Sequence, residues 1–277
     1  KVALIPTVEG AAMLENEDLA SLPVDSPDLV HLMVEAKKLA FADRDAYVCD
    51  PAFHSVPVEA MLSKEQASAR VRLIDPARAS AGFAPRDFTA AGEDTIYLTV
   101  VDGDGNAVAL IQSLFEAFGS CVLVPETGMV LQNRGRGFTL DPAHPNRLEP
   151  GKRPYHTLHP AMVLSGGLPY IVFGTPGADG QTQTNIQLLV DMLDHRADPQ
   201  QANEAPRWRS DPDGTLMIES RFPEETISSL RQRGHNVQVV DAYAEVMGSS
   251  QAILIDRENG VLHAGADPRR QAYAIGK

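Results

Sequence analysis

Cysteine and tryptophan are nearly missing from this sequence: 277 residues hold two Cys and one Trp. Cys49 and Cys121 make no disulfide framework, so the fold must rest on an ordinary hydrophobic core. No apolar run approaches the roughly 18 residues that a membrane-spanning helix needs. The apolar start at Val2-Ala3-Leu4-Ile5 is too short for a signal peptide, which leans the reading weakly toward the cytoplasm over the periplasm. Positive charge is scarce: 24 Lys and Arg stand against 37 Asp and Glu, a formal net charge of −13. That balance argues against nucleic acid or an anionic membrane surface as the main partner.

Familiar catalytic signatures are also absent. There is no GxSxG, no HExxH and no glycine-rich dinucleotide or phosphate loop. His144, His156 and His159 lie close in sequence without a metal-binding pattern, so neither a metal nor a cofactor is expected. Cys121 reads as a small buried thiol.

What is present is ordinary globular material, 43% hydrophobic and 22% charged. Its clearest helix starts at Ser26, an N-cap, with Pro27 at the first helical position and Asp28 at the positive end of the dipole. Leu29, Leu32, Met33, Ala36, Leu39 and Ala40 then recur at helical spacing to about Tyr47. The polar face carries His31, Glu35, Lys37 and Lys38, and His31 reads as a solvated helix histidine. Before this helix only a short helical turn over residues 11–14 is suggested; after it comes a second helix over residues 63–74. Residues 75–93 are rich in Pro, Ala, Ser and Gly and read as an exposed, mobile linker.

The linker leads into the central stretch. Thr95 to Val101 alternates as a strand, with Tyr97, Thr99 and Val101 on one face and Leu98 and Val100 on the other. Asp102-Gly103-Asp104-Gly105-Asn106 supplies a hairpin turn, and residues 107–114 return. Further strands are expected over residues 119–124, 129–133, 161–164, 170–174, 216–219, 237–240, 251–256 and 261–264. Helices are expected over residues 182–195 and 224–233, the latter stopped by Gly234. Residues 133–154 form a polar loop whose basic side chains are either solvated or the wall of a carboxylate site. Hairpins with interspersed helices make the class α+β with mainly antiparallel sheets.

Two features combine into chemistry. Tyr170 to Gly174 runs into Thr175-Pro176-Gly177-Ala178-Asp179-Gly180 and then a helix, a turn that aims backbone N–H groups at one point, as an oxyanion requires. Thr95, if freed by cleavage of the Asp94–Thr95 bond, gains an α-amine of reference pKa about 7.7–8.0 beside its own hydroxyl. That is the threonine variant of the nucleophile–base pair. Taken singly, a plain hairpin and plain strand-to-helix punctuation are the commoner explanations of each feature; together with the linker they favour a nucleophile.

At this point the sequence resembles the γ-glutamyltranspeptidase family of N-terminal-nucleophile hydrolases. The matching elements, in collinear order, begin with Val34-Glu35-Ala36-Lys37-Lys38-Leu39-Ala40-Phe41-Ala42-Asp43-Arg44, the Thr95 hairpin and Phe118-Gly119-Ser120. They continue with Lys152-Arg153-Pro154, Gly174-Thr175-Pro176-Gly177, Asn203-Glu204-Ala205-Pro206-Arg207, Met247-Gly248-Ser249 and Gly265-Ala266-Asp267-Pro268-Arg269. The resemblance implies a four-layer αββα sandwich, autocatalytic cleavage before Thr95 and acyl transfer from an amide through an acyl-Thr95 intermediate. Residues 1–94 would then be the C-terminal part of the large subunit and residues 95–277 the small subunit, together one structural domain lacking an upstream region. The expected partners are that upstream part of the precursor and a small amide substrate; a homo-oligomer is compatible with the sequence.

Carried over by position, Thr95 is the nucleophile, Ser113 its supporting hydroxyl, and Gly177 and Ala178 the oxyanion turn. The family's second threonine is Ile96 here, and a substrate-binding asparagine is Phe115. The acidic pair that grips a substrate ammonium corresponds to Arg136 and Gly137, and the Ser-Ser that binds its carboxylate to His156 and Thr157. Losing acids and gaining arginines inverts the local charge. The resemblance therefore points to the acylase and amidohydrolase branch, including enzymes acting on oxo-acid amides such as oxamate, with Arg134, Arg136, His156 and Thr157 as substrate-binding residues. The alternatives are a true γ-glutamyl hydrolase or transferase and an unprocessed, inactive binding protein.

Overall fold

A computed structural model describes residues 5–81 and 93–276. The helix α1 (Ile5–Leu14) is longer than the turn expected there. α2 (Pro27–Tyr47) has the expected bounds, and the Ser26 side chain accepts the Leu29 amide at 3.3 Å. Two short helices follow, α3 (Val58–Met61) and α4 (Lys64–Val71), then the hairpin β1 (Glu93–Val101) and β2 (Ala107–Glu116). In place of two further full strands, only β3 (Leu123–Val124) and β4 (Met129–Val130) pair.

Beyond a 3-10 turn at Arg134–Gly137 come β5 (Ala161–Ser165), β6 (Leu168–Gly174), α5 (Gly180–Leu193) and α6 (Pro199–Glu204). The chain ends with β7 (Trp208–Ser210), β8 (Thr215–Glu219), α7 (Glu224–Gln232), β9 (Asn236–Val240), β10 (Gln251–Asp256) and β11 (Val261–Ala266). α6 and β7 have no counterpart in the sequence reading. α6 stands on the capping box of Asp198 and Gln201, whose paired side chains satisfy its first amides.

The four-stranded sheet runs β11-β10-β6-β5, with antiparallel neighbours. Strand alternation divides β6 between two layers. Ile171 and Phe173 pack with Leu188 and Met192 of α5 on one face. Gly174 meets the ring of Tyr97 in β1, where an added Cβ would lie 2.4 Å from Cε2. The sheet thus lies between α5 and the hairpin that carries Thr95. A second, three-stranded sheet orders β7-β8-β9, with β8 and β9 parallel.

The larger core cluster encloses α2. Met13 and Leu14 of α1, Ala67 and Val71 of α4, Ile186 and Val190 of α5, Leu216 and Ile218 of β8 and Leu230 of α7 all join it. Enclosure on this scale overturns one expectation. His31, Glu35 and Lys37 are not on a solvated face; they are 1%, 3% and 3% exposed. Burial of such groups requires partners. Lys37 Nζ donates to Ser210 O at 2.7 Å, and His31 Nδ1 meets His235 Nε2 at 2.8 Å.

Residues 82–92 of the expected linker lie outside the described residues. Residues 75–81 are largely exposed, as expected, yet tied down. Ala79 donates its amide to Arg233 O at 2.7 Å, and the Ser80 amide donates to Glu35 Oε2 at 3.2 Å. No helix among the described residues is long and apolar enough to cross a membrane.

Candidate active site

Thr95 is half-buried near the start of β1, and its Oγ1 lies 2.9 Å from Ser113 Oγ on β2. The register explains the pairing. Asp94 faces Phe115 and Thr95 faces Ser113, so Leu114 is an extra residue that bulges β2 opposite the Asp94–Thr95 bond. Phe115 completes the bulge at φ 83°, a backbone region that costs a side-chain-bearing residue roughly 1–3 kcal/mol. Its amide donates to Ser113 Oγ at 2.8 Å, which fixes that hydroxyl toward Thr95. Sequence reading paired the two residues; the bulge was not legible in it.

The Gly177–Ala178 turn leaves β6 next to the hairpin. Gly177 has φ 139° and Ala178 φ 44°, and the turn is closed by the Gly180 amide donating to Gly177 O at 2.6 Å. A second wall supports it. Thr175 Oγ1 accepts the Ser249 amide at 3.1 Å, and a Cβ on Gly248 would come within 2.7 Å of the same oxygen. A cleft of about 370 Å³ beside this junction is lined by Thr95, Pro176, Ser249 and Gln251.

The turn is also clamped from α2. Arg44, 6% exposed, donates from Nη1 to Asp179 Oδ1 at 2.7 Å and lies over the Phe41 ring at 3.9 Å. Burial alone would raise the Asp179 carboxyl. Arg44, Lys37 and Arg209 outweigh that and hold it below the usual range. For Lys37, burial dominates, and its pKa falls to about 7.

Three of the four expected substrate-binding residues come together around the end of β2: Arg134 beside Phe115, Arg136 beside Glu116, and His156 within reach of the Arg134 charge. Arg134 is 8% exposed, its guanidinium sits 5.2 Å from the Phe115 ring centre, and Nη1 has no hydrogen-bond partner. No ion pair to it occurs among the described residues, whereas Arg153 pairs with Asp50, and Arg147 and Lys152 with Glu149. Arg136 is more exposed and pairs with Glu116. His156 is exposed; partial burial of the ring, then the Arg134 charge, lowers its pKa. Thr157 is buried.

Sequence reasoning missed Glu116. It accepts from Asn133 Nδ2 at 2.5 Å as well as from Arg136, so it offsets one of the two arginines. The signal that would have found it is its place directly after Phe115 at the end of the returning strand.

The family model for gamma-glutamyltranspeptidase matches residues 4–277. The chain belongs to that family. It is 44% identical over 272 residues to a glutathione hydrolase-like proenzyme, YwrD, of Bacillus subtilis, covering 95% of this chain and 50% of that protein. It is 37% identical over 282 residues to an oxamate amidohydrolase proenzyme of Klebsiella pneumoniae, covering 99% of this chain and 52% of that protein. Among solved structures, a cephalosporin acylase from Bacillus halodurans superposes with a TM-score of 0.87 at 37% identity, covering 99% of this chain and 50% of that one. The chain therefore spans about half the length of these relatives. Its fold is the α+β sandwich of N-terminal-nucleophile hydrolases, as the motifs implied.

The same motifs gain a structural meaning. Arg207 and Arg269 lie in a buried ionic network. Arg269 grips Glu219 with Nε at 2.7 Å and Nη2 at 2.9 Å, Arg207 pairs with Asp267, and Ser250 and Asn203 complete the set. These residues position β8, β10 and α6; none lines the cleft beside Thr95.

Proposed function

We propose that this chain is the catalytic part of a self-processing amide hydrolase whose nucleophile is Thr95. The observation that carries the reading is the Thr95–Ser113 contact of 2.9 Å at a bulge opposite the Asp94–Thr95 bond. In processing, Thr95 Oγ1 attacks the Asp94 carbonyl carbon, the amide nitrogen leaves as the Thr95 amine, and water hydrolyses the resulting ester. The freed amine, with a reference pKa of about 7.7–8.0, then takes the hydroxyl proton when Oγ1 attacks a substrate amide. The substrate amine departs, an acyl-Thr95 ester remains, and water releases the acid. The backbone amides of the Gly177–Ala178 turn serve the oxyanion, and the Arg44–Asp179 pair keeps that turn in place.

Arg134 sets the acyl group. A buried guanidinium with an unpartnered nitrogen and, among the described residues, no ion-pair partner suits a carboxylate-bearing acyl chain. The names of the relatives include an oxamate amidohydrolase, whose substrate is of that class. Glu116 favours a second reading, γ-glutamyl transfer, since a carboxylate at this rim suits an ammonium group; its pairing with Arg136 argues against it.

The test is a panel of anilides or amides bearing oxalyl, glutaryl, acetyl and γ-glutamyl groups, assayed with the full-length protein. The reading expects kcat/KM to be highest for an anionic acyl group without an ammonium. Preference for the γ-glutamyl donor overturns the substrate assignment, and failure to form an acyl-Thr95 ester with any of them overturns the mechanism.

A further inference from the structure

Away from this site, on the far side of α2, three metal-ligating side chains converge in the core. His31 and Glu35 stand one turn apart on α2, on the same helix face. His235 arrives from the connection between α7 and β9. They are 1%, 3% and 7% exposed, and one donor atom from each lies within 4.8 Å of the other two. The geometry points to a divalent transition-metal site, of the zinc class, formed by His31, Glu35 and His235.

The hydrogen bonds fix which lone pairs face inward. His31 Nε2 is 2.9 Å from the Asp75 carbonyl, which only accepts, so that nitrogen carries the proton. With the proton held on Nε2, the neutral ring presents a lone pair at Nδ1. A backbone carbonyl holding the outer nitrogen is the arrangement that orients metal-bound imidazoles. Nδ1 meets His235 Nε2 at 2.8 Å, and His235 must donate there. Metal entry moves that proton to His235 Nδ1, leaving the ring neutral and Nε2 free to ligate. Zn–N bonds of about 2.0–2.1 Å in tetrahedral geometry separate two nitrogens by about 3.3 Å, so the rings must part by about half an ångström.

Two imidazoles and a carboxylate suit zinc or cobalt rather than calcium or magnesium. Arg233 is paired with Asp28, whereas Lys38 lies 2.6 Å from Glu35 Oε1, so a metal ion would share that carboxylate with Lys38. Glu35 also accepts from the amide and hydroxyl of Ser80, so an ion here would bind a carboxylate that already anchors that residue. His31 and Glu35 precede Thr95 and His235 follows it. An ion would thus bridge the two pieces produced by cleavage, a consequence that rests on the proposed function, whereas the site itself does not.

The test uses the full-length protein, stripped with a chelator, dialysed and offered zinc or cobalt. One equivalent is expected to remain after dialysis, and zinc is expected to raise the thermal midpoint. X-ray absorption at the zinc edge of the wild type, which needs no variant, should show two imidazoles and an oxygen donor. His31→Asn and Glu35→Gln should each weaken binding at least tenfold and abolish the thermal shift. Failure to retain stoichiometric metal, an absorption spectrum without imidazole ligation, or full binding by His31→Asn would overturn the site and leave a plain histidine–histidine hydrogen bond in its place.

Discussion

Replacing Arg134 with methionine separates stability from recognition. The guanidinium is buried over Phe115, Nη1 has no partner, and burial pulls its pKa down. An unsatisfied buried donor costs about 1–3 kcal/mol. Methionine keeps a stem of similar length against the ring while removing the charge. Arg134→Met should therefore stabilise the protein by about 1 kcal/mol, read as a higher urea midpoint at unchanged m-value. Its effect on turnover should be opposite. A charge-assisted hydrogen bond to a carboxylate contributes about 1.5–3 kcal/mol, so kcat/KM for oxalyl or glutaryl amides should fall by roughly 10- to 150-fold. The acetyl amide should be nearly unaffected. A variant that is destabilised by 1 kcal/mol or more, or that loses activity equally on charged and neutral acyl groups, would refute the argument and make Arg134 a structural residue.

Other perturbations test the frame around the site. Glu219→Gln leaves Arg269 without its bidentate partner in a fully buried network, which should cost about 3–5 kcal/mol in chemical denaturation; Glu219→Gln combined with Arg269→Met should recover much of it. Gly174→Ala forces a methyl into the Tyr97 ring and should destabilise by about 1–3 kcal/mol while slowing the appearance of processed chains on a gel. Glu9 carries a carboxyl with neither oxygen hydrogen-bonded, and burial pushes its pKa up to about 7 from 4.5. The folded state holds that proton more tightly than the unfolded one. This contribution is thus complete below about pH 4.5 and is lost as pH rises through 7. Glu9→Gln should remove the loss, gaining on the order of 2 kcal/mol over wild type at pH 8.

The sequence revealed most where the cause of structure is local. Ser26 and Pro27 mark the start of α2 because capping is decided within one turn, and the Asp-Gly-Asp-Gly-Asn run marks the hairpin because only certain residues suit its turn. The burial of His31, Glu35 and Lys37 was not legible, because it depends on His235, Ser80 and Ser210, distant in sequence. Likewise Glu116 was overlooked because its meaning comes from Arg136, twenty residues on. The bulge at Leu114 escaped notice since no glycine announces it; Phe115 takes the left-handed conformation instead. Of the basic loop, chemistry alone left solvation and recognition equally open. The structure divides it residue by residue: Arg147, Lys152 and Arg153 have carboxylate partners, and Arg134 stands without one among the described residues.

The central claim is that Thr95 is a nucleophile released by cleavage of its own preceding peptide bond. Intact-mass analysis with N-terminal sequencing of the purified wild type and of Thr95→Ala tests it most directly. The wild type should yield two chains, one beginning at Thr95, and Thr95→Ala should stay a single chain. A wild type that remains uncleaved under native conditions, or a new terminus anywhere else, would contradict the account.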